Sequence, residues 1–428
     1  MKQTANSVSR VLLASLVGTT IEFFDFYAFA TAAVIVFPKL FFRADDPAAA
    51  MLQSMVTFSL AFFARPLGAV VFGHFGDRVG RKASLVVALL CMGCSTVLIG
   101  LLPTYVSIGV WAPVLLSLCR FGQGVGLGGE WGGAVLLANE NASPGKRAWY
   151  GGFPQLGAPL GFLCSTAVFW VLSGHLSNAQ FLAWGWRMPF LASAILVIVG
   201  LYVRLSLAET ADFQRAIDNQ ERVRVPLFTL LAEHPRALVL GTLASTAAFV
   251  ILYLMTVFML GWGTANLNVT RTQFLLIQML GMACTGLAVL IAAATADRCG
   301  PRTVLLAALV GLIAFGSSFR PLLDSAGFGG VLLFCCLGLT LAGLSYGPLG
   351  AALAELFPTP VRYSGISLTF NVAGILGASL TPYIATRLVT GHGLAWVGYY
   401  LSAVSLASAI ALLLPAVRGR VRNSPVLA

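Results

Sequence analysis

The chain has 428 residues, 58% of them hydrophobic and only 10% charged, and its 26 Lys and Arg outnumber its 15 Asp and Glu. A soluble protein of this length would carry about a quarter charged residues, so a soluble enzyme or binding domain is excluded. Apolar runs of roughly 20 residues recur from end to end, twice as long as barrel strands and without their alternation, which defines an all-α polytopic membrane protein.

The first run, 11–37, is too long for a signal-peptide core and no small-residue cleavage site follows it, so it reads as a retained helix. It contains GTTIEFFDFYAFATAAVIVF (18–37), which sets Glu22 and Asp25 inside apolar sequence. Each charge at that depth costs at least about 2.5–3.5 kcal/mol on insertion scales, which asks for a function. Breakers and polar loops place further spans at 51–72, 83–103, 111–138, 148–172, 186–206, 237–262, 272–294, 303–320, 329–354, 363–388 and 394–416, twelve in all. Cys91 and Cys94 form a CxxC, but in mid-span they read as small packing residues rather than a redox pair. GVGLGG (124–129) satisfies the dinucleotide fingerprint without the strand that must precede it, so no nucleotide is expected. Its helical reading is better: Gly122/Gly126, Gly124/Gly128 and Gly129/Gly133 are GxxxG pairs that let neighbouring backbones approach.

With the N-terminus placed in the cytoplasm, eighteen of the 26 basic residues fall on that side, six on the other, and two, Arg65 and Arg120, within spans. Positive-inside asymmetry therefore puts both termini in the cytoplasm, and the net charge of +11 reflects topology rather than a nucleic-acid partner. A mixed-charge linker, 206–236, divides the chain into 1–205 and 237–428.

The halves echo each other. GHFGDRVGRK (73–82) follows span two and AATADRCGPR (293–302) follows span eight, with Asp77 and Asp297 220 positions apart. Glu140 with Arg147 and Glu355 with Arg362 repeat at an offset of 215. Two motif pairs at nearly one offset indicate parallel six-helix repeats.

GHFGDRVGRK matches the loop 2–3 signature of the major facilitator superfamily. With ARPLGAVVFG (64–73), RFGQGVGLGGEWGGAVLLANE (120–140), GFPQLGAPLG (152–161), WGWRMPF (184–190), AELFPTPVRYSG (354–365) and IExxDF in span one, the chain resembles the metabolite:H⁺ symporter family. That family imports shikimate, α-ketoglutarate, citrate, dicarboxylates and proline/betaine. The resemblance implies two six-helix bundles in the bacterial inner membrane. It also implies proton-driven import of a small organic metabolite, a carboxylate, by a monomer that needs no cofactor or metal. The second loop motif departs from the pattern, with Ala293 and Pro301 in place of a Gly and an Arg. Span seven, LASTAAF (243–249), holds Ser245 and Thr246 where several relatives carry an acidic residue and an amide.

The resemblance further implies a cytoplasmic gate in which Asp77 meets the start of span eleven, near Tyr363 to Gly365, when that side is shut. Gly73 and Gly80 permit tight packing there, and the repetition of Glu140 with Arg147 and Glu355 with Arg362 in both halves favours a gate network shared with Arg78 and Arg81. The plain alternative for the two Glu/Arg repeats is an exposed surface pair worth about 0–1 kcal/mol.

Depths along the helices, at about 1.5 Å per residue, sort the intramembrane polar groups into two levels. Asp25, Gln123 and Arg120 form the upper one, and Glu22, Glu130 and Arg65 the lower, with Arg65 and Glu130 read as a charge pair. Three carboxylates face two guanidinia, so one is left to take up a proton. The alternative is that all five form structural ion pairs. Spans of the second half carry only neutral polar groups, among them Tyr253, Gln278, Tyr346 and Asn371. By resemblance to proton-coupled sugar porters, Asp25 pairs with Arg120 and carries the proton, with Glu22 in reserve. Candidate substrate contacts are Arg120, Gln123, Tyr27, Gln155, Tyr346 and Asn371. A drug or metabolite antiporter of the same fold is the rival reading. A membrane enzyme is not expected, because the four histidines (His74, His175, His234, His392) are scattered among loops with no nucleophile or metal motif.

Overall fold

The computed structural model describes residues 8–43, 46–79, 81–128, 138, 142, 145–206, 227–323, 327–358 and 361–415. Among them stand twelve long helices. The first six are α1 (Val8–Ile35), α2 (Pro47–Val79), α3 (Arg81–Leu101), α4 (Trp111–Leu127), α5 (Arg147–His175) and α6 (Met188–Ser206). The second six are α7 (Pro235–Asn266), α8 (Arg271–Cys299), α9 (Pro301–Ser317), α10 (Phe328–Ala354), α11 (Ser364–His392) and α12 (Leu394–Leu413). Eight are long and apolar enough to cross a membrane, and the apolar parts of α3 and α9 are shorter. α1, with its two carboxylates, and the described residues of α4 complete the set.

Where the chain must turn within a residue or two, it uses glycine. Gly300 between α8 and α9 (φ 85°) and Gly393 between α11 and α12 (φ 90°) take the left-handed backbone that a Cβ disfavours. α8 starts with a reciprocal cap, in which Thr270 Oγ1 accepts from the Gln273 amide while Gln273 Oε1 accepts from the Thr270 amide. At the end of α3, Arg187 donates through Nη1 to the carbonyls of Gly100 and Leu102, both at 2.7 Å. A guanidinium there satisfies carbonyls that the helix leaves free and sits favourably at the negative end of its dipole. This gives the Arg of WGWRMPF a structural task.

Each half builds the same bundle. α1 packs on α5, α2 on α4 and α3 on α6; the counterparts are α7 on α11, α8 on α10 and α9 on α12. Glycines set the closest crossing. A Cβ at Gly124 would strike the Ala61 backbone of α2, one at Gly128 the Arg65 carbonyl, and one at Gly68 the Val125 carbonyl of α4. The GxxxG reading of span four therefore holds for Gly124 and Gly128. Outward faces carry Leu98, Ile195, Leu287 and Val310, all more than half exposed, as a lipid-facing surface requires.

The bundles meet through α1 with α7, α2 with α11, and α5 with α8. α7 is 94% buried along its most apolar stretch, so that stretch lies in the centre, away from lipid. It also carries a π-helical turn at Leu254–Phe258, whose freed Met255 and Thr256 carbonyls each accept a 2.8 Å hydrogen bond from Gln278 Nε2 on α8. A second π turn, Gly374–Ser379, interrupts α11, and its Ser379 carbonyl accepts from Ser59 of α2 at 2.9 Å across the bundle interface.

Candidate substrate and proton site

The centre between the bundles is an aromatic cage around two guanidinium groups. Arg120 of α4 is fully buried, with its Cζ 4.3 Å from the Phe26 ring, 4.1 Å from Phe29 and 4.9 Å from Phe58. Arg65 of α2 stands 5.0 Å from the same Phe26 ring and 4.7 Å from Phe62. Ring faces stabilise a desolvated cation by about 2 kcal/mol or more, which offsets part of the burial cost. Tyr27 of α1 and Tyr253 of α7 stack at 6.4 Å, so the second bundle closes the cage with an aromatic lid.

Not every nitrogen of this pair is used. Arg120 Nε donates to the Phe58 carbonyl at 3.2 Å and Nη1 to Gln123 Oε1 at 2.9 Å. Arg120 Nη2 and Arg65 Nε are buried without a hydrogen-bond partner among the described residues. Buried donors left unmade cost about 1–3 kcal/mol each, so such groups ask for an acceptor.

Asp25 and Arg120 do share a network, but the ion pair expected between them is not formed. Asp25 Oδ2 accepts from Thr96 Oγ1 of α3 at 3.0 Å, and Gln123 Nε2 donates to the same Thr96 oxygen at 2.8 Å. The geometry explains the difference: the guanidinium is held among three phenyl rings, and the amide of Gln123 fills the space between. Gln123, read as a substrate contact, thus has both ends of its amide engaged within the protein. Ser193 of α6 also faces the Asp25 carboxylate.

The lower level is arranged around a cavity of about 20 Å³ open to water centres, room for one water molecule. Glu22, Phe23, Phe26, Arg65, Ser367 and Asn371 line it. The cavity brings Glu22 and Arg65 together with Asn371 of the second bundle, whose Nδ2 donates to the Gly128 carbonyl at 3.4 Å. Gln155 of α5 donates to the Tyr346 carbonyl of α10 at 3.3 Å, which joins two more predicted contacts across the interface. Glu130 lies outside the described residues, and with it the pairing with Arg65.

At the end where α5 begins and α8 ends, a carboxylate ties the bundles. Asp297 of α8 accepts from the backbone N–H of Ala148 at 2.8 Å and of Trp149 at 3.0 Å, in the first turn of α5. A carboxylate there fills donors that the helix leaves free and sits at the positive end of its dipole. The family resemblance places such a latch at Asp77, in the first motif copy, while the second copy departs from the pattern at Ala293 and Pro301. The signal was nonetheless present in the 220-residue offset between the two aspartates. Gly80 and Glu140 lie outside the described residues. Gly73, Asp77, Arg78 and Arg81 fall on helix backbone whose side chains also lie outside them.

Arg147 opens α5. Glu355 and Arg362 make no ion pair. Arg362 Nε donates to the Phe357 carbonyl at 3.2 Å, and Glu355 feels Arg302 instead. Partial burial moves the Glu355 carboxyl above its ordinary value, and Arg302 opposes that in part. At the opposite end of the molecule Arg271 of α8 reaches Asn178 at 3.4 Å and lies 4.2 Å from the Phe181 ring, so the bundles touch at both ends around a closed centre.

Two repeated six-helix bundles facing each other across a charged, aromatic-walled centre define a secondary transporter of the major facilitator superfamily, and a transporter rather than an enzyme. The chain belongs to the sugar (and other) transporter family, whose model matches residues 11–237 and again 237–419. It is 54% identical over 415 residues to the inner membrane metabolite transport protein YhjE of Escherichia coli (strain K12), covering 96% of this chain and 94% of that one. It is 36% identical over 416 residues to the shikimate transporter of the same organism, covering 95% and 94%. Among solved structures, the E. coli xylose transporter XylE in a partially occluded inward-open conformation superposes with a TM-score of 0.73. That match has 16% identity and covers 95% of this chain and 97% of that one.

Proposed function

We propose that this chain is a proton-coupled symporter of the bacterial inner membrane that imports a small organic carboxylate by alternating access, with both termini in the cytoplasm. The observation that carries the reading is the pair of caged guanidinia, Arg65 and Arg120, with Nε of one and Nη2 of the other lacking a partner among the described residues. A planar, permanently charged group with free N–H vectors is the protein's natural receptor for a carboxylate. Tyr27, Gln155, Tyr346 and Asn371 surround the same interface and supply neutral polar contacts and an aromatic wall. Asp25 is the proton carrier in this reading, linked to Arg120 through Thr96 on α3 and Gln123 on α4, and Glu22 is the reserve. Similarity to an inner membrane metabolite transport protein and to a shikimate transporter supports the location and a small organic substrate.

The gate follows from the repeat. By analogy with Asp297 at the start of α5, this reading gives Asp77 the matching role at the start of α11 on the cytoplasmic side, and has the two latches open together when the bundles rock. The reading is tested by uptake into proteoliposomes of a radiolabelled carboxylate panel and the matching amides, under an inward proton gradient. Acids should accumulate and their amides should not. Equal uptake of acid and amide removes the carboxylate, and efflux driven by the same gradient replaces the symporter with an antiporter.

A further inference from the structure

We propose that Thr96 is a positioning residue that lets Asp25 gain and lose a proton with no movement of heavy atoms, and that it transmits the charge of Asp25 to Arg120. The inference rests on the reading of Asp25 as proton carrier. It follows from donor and acceptor counting in one buried chain: Arg120 Nη1 to Gln123 Oε1, 2.9 Å; Gln123 Nε2 to Thr96 Oγ1, 2.8 Å; Thr96 Oγ1 to Asp25 Oδ2, 3.0 Å. Thr96 Oγ1 also lies 3.0 Å from the Met92 carbonyl. Asp25, Thr96 and Arg120 are completely buried and Gln123 is 1% exposed, so water does not compete for these bonds.

A guanidinium has only donors, so Gln123 must turn its amide oxygen to Arg120 and its NH₂ to Thr96. The Thr96 oxygen is therefore always an acceptor toward Gln123, and it has one proton and one lone pair left to place. Two acceptable partners for that proton stand at equal distance. When Asp25 is ionised it can only accept, and the hydroxyl points to Oδ2. When Asp25 is protonated its own O–H donates to the Thr96 lone pair, and the Thr96 proton turns to the Met92 carbonyl. All three hydrogen bonds of the relay persist in both states, and only a hydroxyl rotates. The proton that Asp25 takes up comes from water when the centre opens and returns to water on the other side; Thr96 keeps its own.

The ionised arrangement aligns every dipole from Arg120 to Asp25, which strengthens the hold on the guanidinium. Protonation removes the negative end and relaxes that hold, freeing Arg120 for a substrate anion. Titratable and charged groups of the packed helices are Glu22 and Tyr27 on α1 itself, Arg65 on α2, Arg120 on α4 and Tyr253 on α7. α3 and α6 face the carboxylate with the hydroxyls of Thr96 and Ser193.

The test needs no substrate. The full chain is reconstituted in liposomes, and the carboxylic C=O stretching band that disappears in Asp25→Asn is followed by difference infrared spectroscopy against pH. Thr96→Ser should reproduce the parent's band frequency and pH midpoint. Thr96→Val should move the band to higher frequency, as a protonated carboxyl does on losing its hydrogen bond, and displace the midpoint by at least about half a pH unit, roughly threefold in proton affinity. Thr96→Ala is the second deletion and should behave as Thr96→Val does, should the valine not fold. Superposition of either deletion on the parent overturns the role of Thr96. If no titrating band is lost in Asp25→Asn, the carrier assignment fails instead, and the two failures are thereby told apart.

Discussion

Asp297→Ala removes the only carboxylate seen to tie the bundles at the basic end among the described residues, while leaving both helices intact. The carboxylate accepts two hydrogen bonds, 2.8 and 3.0 Å, from the first turn of α5. Loss of a helix N-terminal cap costs about 1–2 kcal/mol. Because α8 and α5 belong to different bundles, that energy is lost only by the conformation in which this end is shut. The ratio of open to shut molecules should then rise about 5–30-fold. Lys146 and Arg298 are exposed on either side of the contact and suit paired spin labels in a background freed of native cysteines. Their distance distribution should move from a short to a long population in Asp297→Ala and part of the way in Asp297→Asn, whose amide oxygen can still accept. A distribution identical to the parent's would refute the latch, since the cap would then contribute equally to both conformations.

Gly128→Ala should destabilise the protein by about 1–3 kcal/mol or more, because the new Cβ meets the Arg65 and Ala69 backbone, which cannot move aside. Gly174→Ala, where the nearest atom is a methyl at 4.0 Å, should be neutral in the same thermal assay. Glu355→Gln tests a shifted carboxyl at the same end as Asp297. Partial burial favours its neutral form, so the raised group adds stability at pH below its ordinary range and loses it as pH rises through its own higher value. The glutamine variant should therefore melt higher than the parent at neutral pH, with the gain fading as pH falls through the carboxylate range.

Much of this arrangement can be read from residues alone, for physical reasons. Lipid forces every span to be a continuous apolar run, so the helices announce themselves, and a charge inside one is costly enough to mark a site. Asp25, Glu22, Arg65 and Arg120 stand out on that ground, and all four line the centre. Spacing also reveals Gly124 and Gly128, because only a close helix crossing needs bare backbone on one face. Which charges touch is another matter. Depth matched Asp25 to Arg120, but the lateral position of each rotamer depends on Phe26, Phe29 and Phe58, which look like ordinary core. Thr96 was invisible for a similar reason: a threonine in a span is ordinary, and its role comes from Asp25 and Gln123 on two other helices. The central burial of α7 leaves no mark in a chain where every span is apolar. Asp297 was legible in the repeat, and its altered neighbours, Ala293 and Pro301, obscured it.

The central claim is that Asp25 carries the proton that drives accumulation. It is tested most directly by comparing Asp25→Asn with the parent in proteoliposomes, using a carboxylate that the parent accumulates. Two quantities are measured: uphill uptake under an inward proton gradient, and exchange between preloaded and external substrate without one. The account predicts that Asp25→Asn abolishes uphill uptake and retains measurable exchange, because exchange need not release the proton. Undiminished accumulation by Asp25→Asn would contradict it, and loss of accumulation in Glu22→Gln alone would move the proton to Glu22.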